Sequence, residues 1–139
     1  MDKRCYCNAA KSIELRTVIF SERVTIRNVP VKICNLCNLC ELFPDIKRDL
    51  KKRMIQWGAR PNKQIIWYHE NHELAYILYE ANRVRKMNTP ICEMISTRIN
   101  ELLDLFILAQ SVGDICWMDE LRSRMWQLSQ GMNQFNDLM

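Results

Sequence analysis

Five of the seven cysteines fall within the first forty residues, as Cys5-Tyr6-Cys7 and as Cys34-Asn35-Leu36-Cys37-Asn38-Leu39-Cys40. Between the two groups runs a strand-like stretch, Ile13 to Ile33. So short a segment cannot bury an adequate core without a covalent or metal staple, and thiols placed at both ends of a hairpin supply one if the ends meet. Zn²⁺ takes four soft or borderline ligands in a tetrahedron, and two cysteines separated by two residues reach one ion from a tight turn. Cys34-x-x-Cys37 has that spacing, and so does Cys37-x-x-Cys40. Cys5-x-Cys7 is shorter. It supplies either both ligands in a tighter chelate or only one, with Cys40 completing the set. The candidate ligands are therefore Cys5, Cys7, Cys34 and Cys37, with Cys40 as the alternative. Competing readings are buried thiols without a metal and a redox-active surplus thiol. A site of four thiolates has no open position for water, which points to a structural rather than a catalytic role.

The cysteine count is odd, and no apolar leader precedes Cys5. Both observations speak against a secreted disulfide framework and for a reducing, cytoplasmic setting. No apolar run reaches the ~18 residues of a membrane span. The formal charge of +4 drops by about two with four thiolates and one Zn²⁺ in place, so charge alone does not argue for nucleic acid. Three glycines in 139 residues leave little room for a Gly-rich phosphate loop.

Thr17-Val18-Ile19-Phe20, a turn at Ser21-Glu22 and the alternating Arg23 to Arg27 predict a β-hairpin; Asn28-Val29-Pro30 is expected to break the pairing, because proline cannot donate to a ladder. From Pro44 the pattern becomes helical. Ile46, Leu50, Met54 and Trp57 share a stripe, and Gly58 is a natural stop. Gln64 to Tyr68 reads equally as a short strand or a helix start. A helix over Glu70 to about Lys86 turns Leu74, Ile77, Leu78 and Ala81 inward. The next runs from a Thr89 cap and Pro90 to Val112, with Ile91, Ile95, Ile99, Leu102, Phe106 and Ala109 on one face. Gly113 ends it and Asp114 caps the last helix, Ile115 to about Gln130, so the two form an antiparallel hairpin. Gly131 is expected to close that helix.

The segment Val24-Thr25-Ile26-Arg27-Asn28-Val29-Pro30-Val31-Lys32-Ile33-Cys34-Asn35-Leu36-Cys37, with Cys5-Tyr6-Cys7 before it, resembles the YgiT-type zinc finger. That module forms the N-terminal zinc domain of MqsA-like antitoxins and occurs in small, mostly bacterial or phage, proteins. The resemblance covers residues 3–43 and implies metal-ligand roles for Cys5, Cys7, Cys34 and Cys37. Two departures stand out: the first knuckle lacks a spacer residue, and Asn8 and Asn38 stand where a glycine often follows each knuckle. The rest of the chain shows no helix-turn-helix motif of the antitoxin type.

Lys47, Arg48, Lys51, Lys52 and Arg53 form a basic run, with Arg60 and Lys63 beyond it, that reads as a solvated helix face or as a nucleic-acid contact. His69 and His72 stand three apart, not at the four-residue spacing of the His-Glu-x-x-His motif; the turn at a helix N-terminus is their expected place, and a metal-dependent hydrolase built on them is remote. Cys92 and Cys116 read as buried small hydrophobes.

The expectation is an α+β protein: a small zinc-stapled β-hairpin module (residues 1–43), an α-helical domain of about four helices (44–131) and a flexible tail (132–139). It is expected to be a cytoplasmic zinc-binding regulatory or adaptor protein rather than an enzyme. It would act through protein–protein contacts with no membrane association, and a homodimer is compatible with that reading. The alternative is a nucleic-acid-binding, antitoxin-like transcription regulator using the basic helix 45–57.

Overall fold

The computed structural model describes residue 7 and residues 11–84 and 91–136. The chain is α+β: a hairpin sheet is followed by four helices. It divides into two compact units, residues 1–71 and 72–139. The division therefore falls at 71/72 and not at 43/44, because the first helix and a further strand belong with the sheet.

In the first unit, β1 (Lys11–Phe20) and β2 (Val24–Cys34) pair antiparallel. Ser21 and Glu22 between them have φ of 51° and 60°, and the Arg23 N–H donates to the Phe20 carbonyl at 3.0 Å. Positive φ at both central positions marks a type I′ turn, whose twist suits a hairpin. β2 is the central strand. β1 lines one edge along its length, and two short strands share the other: β3 (Cys40–Leu42), antiparallel to Val31–Ile33, and β4 (Gln64–Trp67), parallel to Val24–Arg27. The ambiguous segment at 64–68 is thus a strand leading into a 3-10 turn, Tyr68–Glu70.

The expected break at Asn28-Val29-Pro30 does not occur. Arg16 pairs with Val29 and Val18 with Ile26, so Thr17 stands opposite both Arg27 and Asn28. Asn28 absorbs the extra residue as a bulge at φ 64°. The bulge resets the two-residue alternation: Val24 and Ile26 are buried before it, Val29 and Val31 after it. Pro30 pairs with Leu15 on the β1 side; on the other edge it falls in the gap between β4 and β3, where no ladder asks for its missing N–H.

Helix α1 runs Pro44–Trp57 with Ile46 and Leu50 buried, and Gly58 ends it at φ 76°. It is held to the rest of its unit by polar contacts as well as packing. The Tyr68 hydroxyl donates to Asp49 at 2.7 Å, Arg53 donates to the same carboxylate at 2.8 Å, and Arg53 also reaches the Asn71 carbonyl. Burial, together with the adjacent Asp49 charge, pushes the Tyr68 hydroxyl far up, so it stays a proton donor.

The second unit holds α2 (Glu73–Val84), α3 (Ile91–Val112) and α4 (Ile115–Asn136). Thr89 and Pro90 lie outside the described residues. Ile95, Leu102 and Ala109 of α3, and Leu121 and Leu128 of α4, are buried. Their spacing of seven is that of an antiparallel coiled-coil seam. The link is a Schellman motif: Asp114 N–H donates to Ala109 O and Gly113 N–H to Gln110 O, with Gly113 at φ 73°. Asp114 then caps α4 by accepting from the Trp117 N–H at 3.0 Å. Gly131 does not end α4, which continues to Asn136. A Cβ at Gly131 would meet Leu74 Cδ1 at 2.7 Å, so the glycine marks close approach to α2 rather than a stop.

At the start of α2, Glu73 is buried between two arginines. Arg98 reaches it with two nitrogens at 2.9 and 3.2 Å, Arg124 with one at 2.6 Å, and its own N–H donates to Gln127. Burial alone would push the carboxyl up; the hydrogen bonds and charges of Arg98 and Arg124 outweigh it and hold it below the usual carboxylate range.

Two outcomes follow. Replacing Ser21-Glu22 by Asn-Gly relieves two left-handed non-glycine residues and stabilises by about 1 kcal/mol; the thermal midpoint of the first unit rises by several degrees, and an unchanged or lower midpoint contradicts the turn. Glu73→Gln leaves two arginines without their carboxylate and costs about 2–3 kcal/mol, below the figure for a fully buried pair because Arg98 and Arg124 side chains keep 24% and 30% of their exposure. Because the folded carboxyl titrates below its unfolded value, this stabilisation is complete above the ordinary Glu range and is lost as pH falls through the lower folded value. Acid titration of the wild type shows that loss, and the Gln variant lacks it.

Candidate metal centre

The hairpin register brings the thiols together. Lys11 pairs with Cys34, so the chain entering β1 starts beside the end of β2. Cys7, Cys34 and Cys37 converge there, their sulfurs all within 4.8 Å of one another. Cys34 is buried, Cys7 half-buried and Cys37 exposed, a gradient from core to surface. A tetrahedral thiolate site with bonds of about 2.3 Å spaces its sulfurs about 3.8 Å apart. The triad therefore fits an ion of that kind with small adjustments, and it can hold a metal.

The second knuckle is the loop between β2 and β3. Cys34 N–H donates to Leu39 O at 3.0 Å and Asn38 N–H to Cys34 O at 2.9 Å, closing residues 35–38 into a tight turn. Asn38 takes φ 59°. It occupies the left-handed position that glycine fills most easily, and asparagine is among the few other residues to do so at modest cost. The Ser12 hydroxyl donates to Asn35 Oδ1 at 2.7 Å, tying the start of β1 to the same loop.

Cys40 is not in the cluster. It lies in β3, paired with Ile33 and exposed. Cys5 lies outside the described residues. Among those described, Cys7, Cys34 and Cys37 form the one group of three or more metal-ligating side chains.

The histidines are used apart. His69 Nδ1 faces the Asn28 side-chain amide at 3.2 Å, so the bulge residue also anchors the 3-10 turn. His72 is the N-cap of α2: its Nδ1 accepts from the Ala75 N–H at 3.3 Å. In the basic run, Arg48 pairs with Asp45 and Arg53 with Asp49, while Lys51 and Lys52 are exposed and Lys47 is half-buried. Cys92 is half-buried, and Cys116 is exposed rather than buried. Sequence spacing carries no signal for the Asn38 conformation or for the Ser12–Asn35 bond, which depend on the folded loop. No helix among the described residues is long and apolar enough to cross a membrane. No family profile, no curated protein and no solved structure matches the chain.

Metal analysis of purified variants tests the ligand geometry. Cys34→Ser and Cys37→Ser are expected to carry less metal than the wild type, whereas Cys40→Ser is expected to carry as much. Loss of metal in Cys40→Ser would contradict this ligand set.

Proposed function

We propose that the chain is a zinc-binding regulatory or adaptor protein that works by holding a protein partner rather than by turning over a substrate. The ion is Zn²⁺, bound by Cys7, Cys34 and Cys37 with Cys5 as fourth ligand, in a module of the YgiT zinc-finger type. An all-thiolate shell has no open coordination position, so its role is to staple the hairpin.

The observation that carries the adaptor reading lies in the second unit. Leu103, Leu105, Ile107, Leu108 and Val112 of α3 and Ile115 of α4 are between 38% and 70% exposed. A helix end that is apolar on nearly every side is ordinarily covered. The nucleic-acid reading has less support, since Arg48 and Arg53 are engaged with carboxylates of their own helix and Arg53 also with the Asn71 carbonyl.

Affinity capture with the full chain in its native host separates the two. Leu108→Ser with Val112→Ser is expected to lower recovery of a specific protein tenfold or more, the scale of a binding hot spot. Lys51→Glu with Lys52→Glu is expected to leave it unchanged. The reverse pattern, with nucleic acid recovered and binding falling steeply with salt, overturns the adaptor reading.

A further inference from the structure

We infer that the exposed end of the α3–α4 groove receives a basic amphipathic helix of a partner protein; this rests on the adaptor reading and names the chemistry of the partner. The groove already takes one helix. Arg98 of α3 and Arg124 of α4 both bond to Glu73 at the start of α2, and Arg98 lies over the Tyr76 ring at 5.1 Å. These contacts mark the face of the hairpin on which α2 lies. Helical spacing extends that face toward the tip: Glu101, Leu105, Leu108 and Val112 follow Arg98 in steps of three and four along α3, and Glu120 and Cys116 precede Arg124 in steps of four along α4.

α2 has 12 residues against 22 in each helix of the hairpin. At 1.5 Å per residue it covers about 18 Å of a groove about 33 Å long. The remainder is bare, with Leu105 38%, Leu108 50% and Val112 66% exposed. Its length suits a second helix of about three turns.

Charge selects which helix. Residues 99–120 contain Glu101, Asp104, Asp114, Asp119 and Glu120 and no lysine or arginine, in a chain of formal charge +4. Glu101 is paired with Arg98, Asp119 with Arg122, and Asp114 caps α4. Asp104 and Glu120 flank the leucines on this face. A helix with apolar residues at i, i+3 and i+7 and lysine or arginine beside them buries the leucines and meets these carboxylates. A second copy offering the same groove would set like charges against each other.

The test uses the full chain and a synthetic 16-residue peptide with leucines at that spacing flanked by lysines, read by fluorescence anisotropy at low salt. A control peptide carries glutamate in place of every lysine. The lysine peptide is expected to bind at least tenfold tighter than the glutamate peptide. Leu108→Ser with Val112→Ser should weaken it tenfold or more, and Asp104→Lys with Glu120→Lys should abolish or invert the charge preference. All four positions are exposed, and unchanged circular dichroism verifies that the variants fold. Equal binding of both peptides, no binding, or a preference indifferent to the charge swap overturns the inference. So does sedimentation showing a dimer that Leu108→Ser dissociates, which would make a second copy the occupant. If the peptide fails while Leu108→Ser with Val112→Ser still loses the captured partner, the basic-helix chemistry is wrong and the adaptor reading stands; if capture is unaffected as well, both fall.

Discussion

The first unit depends on one strand pairing. The register that sets Lys11 against Cys34 closes the open end of the hairpin and carries Cys7 to the knuckle. The same strand, β2, pairs along both edges and contributes Val24, Ile26, Val29 and Val31 to the core. Those four face one way only because the bulge at Asn28 shifts the alternation by one residue. A slip of the register would expose them and separate the thiols together. The apolar core and the thiol cluster therefore specify the same alignment, and that agreement is what lets so small a sheet adopt one structure.

Local chemistry was legible where it is set by a few neighbouring residues. Pro44 to Gly58 and the Gly113-Asp114 link read directly, since proline at a helix start, glycine in left-handed conformation and an aspartate cap each act within one turn. The tight turn over Cys34-x-x-Cys37 read in the same way. The bulge was legible in principle: the apolar sequence Val24, Ile26, then Val29, Val31 changes phase, and a phase change means an extra residue rather than a broken strand. Gly131 misled because a glycine required by the approach of Leu74 looks like one required by a C-cap.

Long-range features left no mark in the sequence. The parallel pairing of β4 with β2, which moves the unit boundary to residue 71, joins segments some forty residues apart. The Glu73 clamp gathers arginines 25 and 51 residues away, and nothing in the spacing of one glutamate announces them. His72 does cap α2, as its place at a helix N-terminus predicts, but the hold of the bulge residue on His69 joins segments that the sequence keeps far apart. In the second unit, α3 turns Ile95, Leu102 and Ala109 to the core, as the helical spacing predicts. Its exposed leucines show that a helix can satisfy its own core and still present a second apolar stripe.

Absorption spectroscopy at the zinc edge of the purified protein reads the atoms around the metal without regard to any activity. One zinc per chain with an all-sulfur shell at about 2.3 Å is the expected result. A shell dominated by nitrogen or oxygen, or a folded hairpin carrying no metal at all, would contradict it.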